Sequence, residues 1–146
     1  MKRTTKYMTI MVLFALIGVS SVKAHCQIPC GIYDDAAEVA LMKEHVTTIA
    51  KSMTQIEAGQ SANQTTRWVM NKENHADELI EITANYFLAQ RIKPDMDHYE
   101  ENLKTLHGII IYSMKAKQTT DVANVEKLTE LIHSLEHTYF GEKHQH

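Results

Sequence analysis

The sequence has few of the residues on which several classes of protein depend. Its 146 residues include two cysteines, two prolines and five glycines. Two cysteines are too few for a disulfide-stapled scaffold or a four-thiolate zinc site. The scarcity of glycine and proline excludes collagen-like chains and argues against turn-rich β architectures. A hydrophobic share of 44% and a charged share of 23% are those of a globular chain and exclude a disordered one.

An excess of positive charge and a long apolar run are also missing. The formal net charge of −3 argues against a general nucleic-acid binder. The apolar run at residues 8–19 is 12 residues long, whereas a membrane-spanning helix needs about 20. The chain length fits one domain.

The first 24 residues have the pattern of a secretory signal peptide. Basic residues at positions 2, 3 and 6 precede the apolar run, and Val22 and Ala24 occupy the small-residue positions of a cleavage site. We predict cleavage after Ala24 and export to the periplasm or the extracellular space, with no membrane contact afterwards. An uncleaved anchor is the alternative, which the short run disfavours. The signal contains four of the 15 Lys and Arg residues and no acid, so the mature domain has 11 basic and 18 acidic residues.

The remainder of the chain, residues 34–146, predicts an all-α fold. Apolar residues recur there at spacings of three and four, the period of an amphipathic helix, in four stretches of about 20 residues. Such stripes joined by short loops predict an antiparallel up-down four-helix bundle with a frayed C-terminal tail. We expect the helices to run from Asp34 to near Gly59, from about Ser61 to before Pro94, from Asp95 to Gln118, and from Val122 to Gly141.

Both cysteines lie at the start of the predicted mature chain, in the string HCQIPCGIY at residues 25–33. A disulfide between Cys26 and Cys30 is one interpretation. It would close a five-residue loop at a terminus outside the bundle, and the chain-entropy model gives about 2 kcal/mol for so small a loop. A disulfide there would therefore be poorly placed to stabilise the domain.

The other interpretation of these residues is a metal-binding hook. Cleavage before His25 would free an α-amine beside two thiolates. That amine, the amide nitrogen of Cys26 and the thiolates of Cys26 and Cys30 can form a planar N2S2 set, which suits Ni(II) or Cu(II). The imidazole of His25 can add an axial ligand, and Pro29 and Gly31 would shape the turn that brings Cys30 back to the metal.

The string HCQIPCGIY matches every fixed position of the pattern H-C-x-x-P-C-G-x-Y, and in this it resembles the nickel-containing superoxide dismutases. The stretches TTRWVMNKENHADEL and ANYF look like the second helix of that family, so the resemblance covers residues 25–146. It implies an oxidoreductase with one nickel ion per subunit, which converts superoxide to dioxygen and hydrogen peroxide by cycling between Ni(II) and Ni(III). It also implies a homo-oligomer, specifically a hexamer.

The resemblance assigns roles to four residues. Cys26 and Cys30 would supply the thiolates, and His25 would supply its amine and, in the oxidised state, an axial imidazole. Tyr33 would stand beside the open face of the metal, gate access to it and hydrogen-bond a bound anion or water. Packing at the entrance to the first helix is the alternative role for Tyr33.

The sequence departs from the family at the residues that orient the axial imidazole. Many members use a carboxylate on the first helix and an arginine on the second, and second-shell partners of this kind tune a metal ligand strongly. Here the carboxylate position falls near Leu41 or Met42, and the arginine position falls near His75. Three acidic residues could substitute, and the sequence does not choose among them: Glu38, Glu44 and Glu73.

Two other functions compete with the dismutase. One is a secreted, non-enzymatic helical bundle that binds nickel or copper through its histidines and methionines. The other is a di-iron bundle, because Glu130-x-x-His133 has the required spacing, but Asp95-x-x-His98 alone resembles a second half-site. We expect His133 and His137 to lie on a solvated helix face, and His144 and His146 to lie in a frayed tail.

Overall fold

The computed structural model describes residues 28–141, and these residues form four α-helices and no strand. The helices are α1 (Asp35–Glu57), α2 (Ala62–Glu81), α3 (Tyr99–Gln118) and α4 (Ala123–Phe140), and a π-helical segment (Ile82–Arg91) continues α2. Helix α1 packs on α2 and α4, and α3 packs on the same two helices. The predicted all-α bundle is confirmed. Across the described residues, no helix combines the length and the apolarity needed to cross a bilayer.

Several predicted features lie outside the described residues. These are the signal peptide at residues 1–24, the hook residues His25 and Cys26, and the tail histidines His144 and His146. The part of the hook that the structure describes begins at Ile28.

Local sequence signals set the ends of the first two helices. The Asp34 carboxylate accepts the amide hydrogen of Ala37 at 3.0 Å, and the Ser61 hydroxyl lies 3.5 Å from the amide of Gln64. Both are residue types whose side chains satisfy the unpaired amides of a helix start. Gly59 follows α1 with a φ of +69°, a conformation that ends a helix and that glycine adopts without strain. These boundaries are the ones that the sequence predicts.

The core contains most of the apolar residues that recur at the predicted spacing on α1, α2 and α4, but the buried face of α3 is shifted from the predicted one. On α3 the spacing predicts Leu106, Ile110 and Met114 in the core, whereas Leu106 and Ile109 are buried, Ile110 is partly exposed and Met114 is 44% exposed. Val122, which continues the predicted spacing before α4, is 54% exposed. Burial is nearly complete for the largest core side chains, which include Met42, Ile49, Met53, Leu79, Phe87, Leu106, Ile109, Leu128, Ile132 and Leu135.

The third helix begins one turn later than the sequence predicts. It starts at Tyr99, not at Asp95, because His98 has a φ of +57°, a left-handed conformation that a right-handed helix cannot include. The Nδ1 atom of His98 lies 3.2 Å from a carboxylate oxygen of Glu101 in the first turn of α3. Residues 95–98 therefore form turns that redirect the chain between the π-helical segment and α3.

A pair of imidazoles interrupts the apolar contact between α1 and α2. Nδ1 of the buried His45 lies 2.7 Å from Nδ1 of His75, so one ring donates and the other accepts. The accepting ring must be neutral, because a protonated imidazole has two donors and no acceptor. Burial and the neighbouring His75 lower the pKa of His45, while Glu78 and Glu44 act in the opposite direction. The environment of the pair therefore favours the neutral form of His45.

We expect the free energy of unfolding to fall as the pH drops from about 7.5 to about 5.5. The pKa of His45 in the folded chain lies below its ordinary value of 6.5, so the unfolded chain binds the proton more readily. Stability that is present above the ordinary pKa is then lost as the pH falls towards the folded value. Urea unfolding at the two pH values measures this loss.

The matched variants are His45→Gln and His107→Gln. Glutamine at position 45 can still hydrogen-bond to His75 but does not titrate, so the pH dependence should become shallower. His107 is exposed on α3, and its replacement should leave the dependence as in the parent protein. An unchanged dependence in His45→Gln would show that the imidazole pair does not govern acid stability.

Candidate metal centre

The described part of the hook, residues 28–33, is a tight turn at the end of the bundle where α1 begins. The amide of Ile32 donates to the carbonyl of Pro29 at 2.8 Å, with Cys30 and Gly31 at the corner of the turn. Gly31 has a φ of +82°, which a residue with a side chain would adopt only with strain. Cys30 is exposed at this corner. The predicted contribution of Gly31 to the turn is thus visible in the backbone.

Gln90, at the end of the π-helical segment, connects this turn to the bundle. Its side chain is buried, and Nε2 donates to the carbonyl of Ile28 at 3.2 Å and to that of Asn85 at 2.7 Å. Its Oε1 accepts from the hydroxyl of Tyr33 at 3.4 Å. One side chain therefore contacts both ends of the described hook.

Tyr33 packs against residues of the π-helical segment while remaining 37% exposed. The guanidinium carbon of Arg91 lies 4.3 Å from the centre of the Tyr33 ring, a cation–π contact. The ring of Tyr86 meets it edge-on, with 5.8 Å between the centroids and an angle of 86°. Tyr33 therefore has the packing contacts that the sequence analysis gave as its alternative role. It lies next to the turn that contains Cys30.

The carboxylate of Asp35 holds this end of the bundle together. It accepts from Nε and Nη2 of Arg91 at 2.8 and 2.6 Å, from the hydroxyl of Tyr86 at 2.6 Å, and from the hydroxyl of Tyr139 at 2.8 Å. We call Asp35, Tyr86, Arg91 and Tyr139 the Asp35 cluster. It joins the first residue of α1 to the π-helical segment and to the end of α4.

The Asp35 cluster keeps its carboxylate charged and its phenols protonated. Burial alone would raise the pKa of Asp35, but the hydrogen bonds from Arg91, Tyr86 and Tyr139 outweigh it, and the pKa is lowered. Burial and the bond to Asp35 raise the pKa of Tyr139 to about 12, and the same causes raise the pKa of Tyr86. Both hydroxyls are therefore donors to Asp35 at neutral pH.

An acidic depression of about 220 Å³ opens beside Ile28 and Pro29, on the side of the hook that faces α1 and α2. Its walls include the carboxylates of Glu38, Glu78 and Glu81. Burial, with the negative charges of Asp34 and Asp35, raises the pKa of Glu38. The surface beside the hook is therefore negative, so it favours a cation over an anion.

Of the three acidic residues proposed to orient the axial imidazole, Glu38 is the one that lines this depression. Glu44 is exposed two helical turns further along α1. Glu73 lies near the middle of α2, 3.0 Å from the ammonium of Lys72 and 3.8 Å from that of Lys117. The structure thus distinguishes Glu38, which lies beside the hook, from Glu44 and Glu73, a choice that the sequence did not allow.

The positions at which the family pattern is interrupted have other roles here. Met42 is fully buried in the core and Leu41 is 39% exposed, and neither side chain can accept or donate a hydrogen bond at the hook. His75, which falls at the arginine position, contacts His45. The structure therefore shows no carboxylate–arginine pair at these positions.

The di-iron interpretation is wrong for the residues on which it was based. Within residues 28–141, no three His, Cys, Asp or Glu side chains lie close enough to hold a metal ion. Glu130 pairs with Lys127 at 2.7 Å, and the 66% exposed His133 pairs with Glu136 at 3.3 Å. His137 is exposed as well. The expected solvated face for the α4 histidines is confirmed.

Gln90 and Arg91 were not predicted as residues of the site. They lie about 60 residues from the hook in sequence, and no motif marks them. In the sequence, Asp35 has only the signal of an acidic residue in the first turn of a helix, which does not distinguish it from Asp34. The partial signal was the ANYF stretch, which contains Tyr86 but ends before Gln90 and Arg91.

The exposed Cys30, the glycine corner and the adjacent tyrosine thus occupy one end of an all-α bundle. A family model described as nickel-containing superoxide dismutase matches residues 20–143. The chain belongs to this family. As a nickel-containing superoxide dismutase it is an oxidoreductase, its substrate is superoxide and its cofactor is nickel. Comparisons with curated proteins and with solved structures gave no match.

The donors of the hook fit the chemistry of nickel. Thiolate sulfur and nitrogen donors suit Ni(II), and the turn presents Cys30 on the surface instead of burying it in the core.

We expect Asp35→Asn to lower the free energy of unfolding by about 1–3 kcal/mol. Breaking a fully buried ion pair costs about 3–5 kcal/mol, and the loss should be smaller here because the Arg91 side chain is 29% exposed. Asp34→Asn removes the same charge, but asparagine caps a helix as well as aspartate does, so its effect should stay within about 0.5 kcal/mol. Urea unfolding of both nickel-free variants at neutral pH measures the difference. Equal losses would show that the Asp35 cluster adds nothing beyond charge.

Proposed function

We propose that the mature protein is an exported nickel superoxide dismutase and that residues 25–33 form its catalytic hook. The observation that carries this proposal is the presence of the complete hook string within a family match that covers all four helices. The turn that exposes Cys30 beside Tyr33 supports it. Nickel, when bound, supplies one-electron chemistry between Ni(II) and Ni(III), by which one superoxide is oxidised to dioxygen and the next is reduced to hydrogen peroxide.

Four residues perform the proposed chemistry. Cys26 and Cys30 would provide two thiolates, and the amide of Cys26 and the amine of His25 would provide two nitrogen donors. The imidazole of His25 would be a further nitrogen ligand. Thiolate and amidate are strong electron donors, so this ligand set would lower the Ni(III)/Ni(II) potential into the range between the two superoxide couples. Tyr33 would gate access to the bound nickel and hydrogen-bond the bound anion or water.

Processing is an essential part of the proposal, because the amine of His25 exists only after the bond to Ala24 is cleaved. The signal-peptide pattern places the predicted cut directly before the hook string. Removal of residues 1–24 during export would therefore free the amine and complete the ligand set. The domain that remains is residues 34–146, with the hook at its N-terminus.

The mature enzyme is proposed to form a homohexamer. The described part of the hook lies at one exposed end of a single bundle, and two of its own residues, Ile28 and Ile32, are more than 80% exposed. Apolar side chains of this size are commonly covered at a protein–protein contact. Neighbouring subunits would shield the hook and leave a narrow approach for superoxide.

We expect Cys30→Ser to abolish nickel retention and to lower dismutase activity by more than about a hundredfold, since changes outside the ligand set alone cost 10–100-fold. Cys26→Ser should behave in the same way. The helical content should not change, because Cys30 is exposed and outside the core. Nickel per subunit, activity and circular dichroism are the three measurements. Loss of helicity would contradict the proposed separation between hook and bundle.

The mature N-terminus decides between the enzyme and a non-enzymatic nickel- or copper-binding bundle. Mass spectrometry of the exported protein should find His25 as the first residue with an unmodified amine. A different or blocked N-terminus would contradict the enzyme proposal and would leave the non-enzymatic metal-binding bundle as the remaining interpretation. Thiol counting on the nickel-loaded protein tests the disulfide interpretation, because the hook needs two thiolates and no S–S bond.

His25→Ala should retain much of the nickel but lose turnover. The alanine amine, the amide of residue 26 and the two thiolates still form the planar set, whereas the axial imidazole is lost. We expect nickel content within about twofold of the parent and activity lower by at least about tenfold. Metal analysis and superoxide consumption on the same sample measure both. Activity near that of the parent protein would show that the imidazole is not a working ligand.

A further inference from the structure

We propose that Gln90 is a positioning residue of the catalytic hook, and that it acts through Tyr33. Its amide binds the hook backbone at Ile28 and the hydroxyl of Tyr33 at the same time, and so fixes the separation between the two. The inference rests on the proposed function, in which Tyr33 is the residue that meets the substrate.

The amide of Gln90 is held in one orientation. The side chain is 6% exposed, and its Nε2 donates to the carbonyl of Asn85 at 2.7 Å within the same π-helical segment. This short internal bond fixes the plane of the amide. The second hydrogen of Nε2 then points at the carbonyl of Ile28, and Oε1 points at Tyr33. A buried amide with all three contacts occupied cannot rotate without losing hydrogen bonds that water does not replace.

The π-helical geometry explains how Gln90 and its neighbours come to face the hook together. On an α-helix, residues five positions apart point about 140° away from each other, at 100° per residue. A π-helix bonds each residue to the one five positions back, so Tyr86 and Arg91 come onto one face. The amide of Ile92 donates to the carbonyl of Phe87 at 2.9 Å in this pattern. Gln90 lies on the same face, and an α-helical continuation would turn Arg91 away from Tyr33.

The contacts around Tyr33 restrict its ring more than its hydroxyl. Arg91 and Tyr86 contact the ring, and Asp35 holds both of them through short hydrogen bonds. The bond from the Tyr33 hydroxyl to Gln90 is 3.4 Å long, beyond the 2.5–3.0 Å range of a strong hydroxyl bond. The hydroxyl can therefore leave Gln90 for a substrate oxygen at little cost. The hydroxyl of Tyr86 cannot do so, because Asp35 binds it at 2.6 Å.

The test uses two substitutions of Gln90 and one control. Gln90→Leu removes the acceptor for Tyr33 and the donor for Ile28, whereas Gln90→Glu keeps an acceptor and loses the donor. Gln55→Leu is the control, since Gln55 lies at the far end of α1, where it binds Gln60 on the surface. All three variants are prepared as the full processed chain.

The first measurement is made without nickel, by NMR of protein labelled with ¹³C at the ζ carbon of tyrosine. We expect Gln90→Leu to shift the Tyr33 resonance, which is identified by its absence in Tyr33→Phe. The resonances of Tyr86 and Tyr139 should stay in place, because they report on Asp35. Gln90→Glu should leave Tyr33 bonded, and Gln55→Leu should change none of the three.

The second measurement is made on the nickel-loaded enzyme. Gln90→Leu should lower kcat/KM for superoxide by up to about tenfold with nickel content unchanged, because it removes the Nε2 bond to Ile28 together with the long bond to Tyr33. Gln90→Glu should recover part of this loss, and Gln55→Leu should match the parent enzyme.

Three results would overturn the inference. The first is an unmoved Tyr33 resonance in Gln90→Leu. The second is a joint shift of Tyr33, Tyr86 and Tyr139, which would mean that the substitution loosens the whole end of the bundle. The third is a loss of activity that follows a loss of nickel. A parent protein that binds nickel without consuming superoxide would instead refute the proposed function, and the resonances would still decide whether Gln90 holds Tyr33.

Discussion

The position of the hook depends on the carboxylate of Asp35. This side chain is 15% exposed and accepts four hydrogen bonds, which join the start of α1 to the π-helical segment and to the end of α4. Because Asp34 caps α1 immediately before it, the chain leaves the helix directly into Tyr33 and the turn. The direction in which the hook leaves the bundle is thus set by a helix cap and by one charged group two residues from Tyr33. Charge-assisted hydrogen bonds are stronger and more directional than neutral ones, which suits a carboxylate with this task.

Most of the fold could be predicted from the sequence because its signals are local. The apolar spacing identifies the buried faces of α1, α2 and α4, and Asp34, Ser61 and Gly59 mark boundaries that the structure reproduces. On α3 the buried face is shifted from the predicted one, because the small and polar residues Asn102, Ser113 and Ala116 lie in it, and apolar spacing cannot predict those. The prediction was wrong at the start of α3, where His98 adopts a left-handed conformation that its residue type does not announce. The π-helical segment was also missed, because a shift from four-residue to five-residue hydrogen bonding leaves no mark in hydrophobic spacing over ten residues.

The candidate site, like the fold, has a part that could be predicted from the sequence and a part that could not. The proposed ligands are contiguous in sequence, so the nine-residue string could be recognised without knowledge of the fold. The residues that support the string could not be identified from the sequence, because Gln90 and Arg91 lie about 60 positions away and reach the hook only in the folded bundle. These two side chains face the hook because the segment that contains them is π-helical, and no single residue of the sequence predicts a π-helix there. The His45–His75 contact is similar, since two histidines 30 positions apart become a pair only after α1 and α2 have packed.

The charges around the hook constrain how a superoxide anion reaches it. Arg91 is the cation beside Tyr33, but Asp35 neutralises it with two hydrogen bonds, and the nearby depression presents Glu38, Glu78 and Glu81. An anion therefore gains no attraction from the described residues at this end of a single bundle, and the net negative charge of the chain repels it at long range. The same field attracts divalent cations towards the described part of the hook. The local electrostatics of the described residues thus favour the approach of a metal cation over that of superoxide, so under the proposed function the attraction of superoxide has to come from groups other than these side chains.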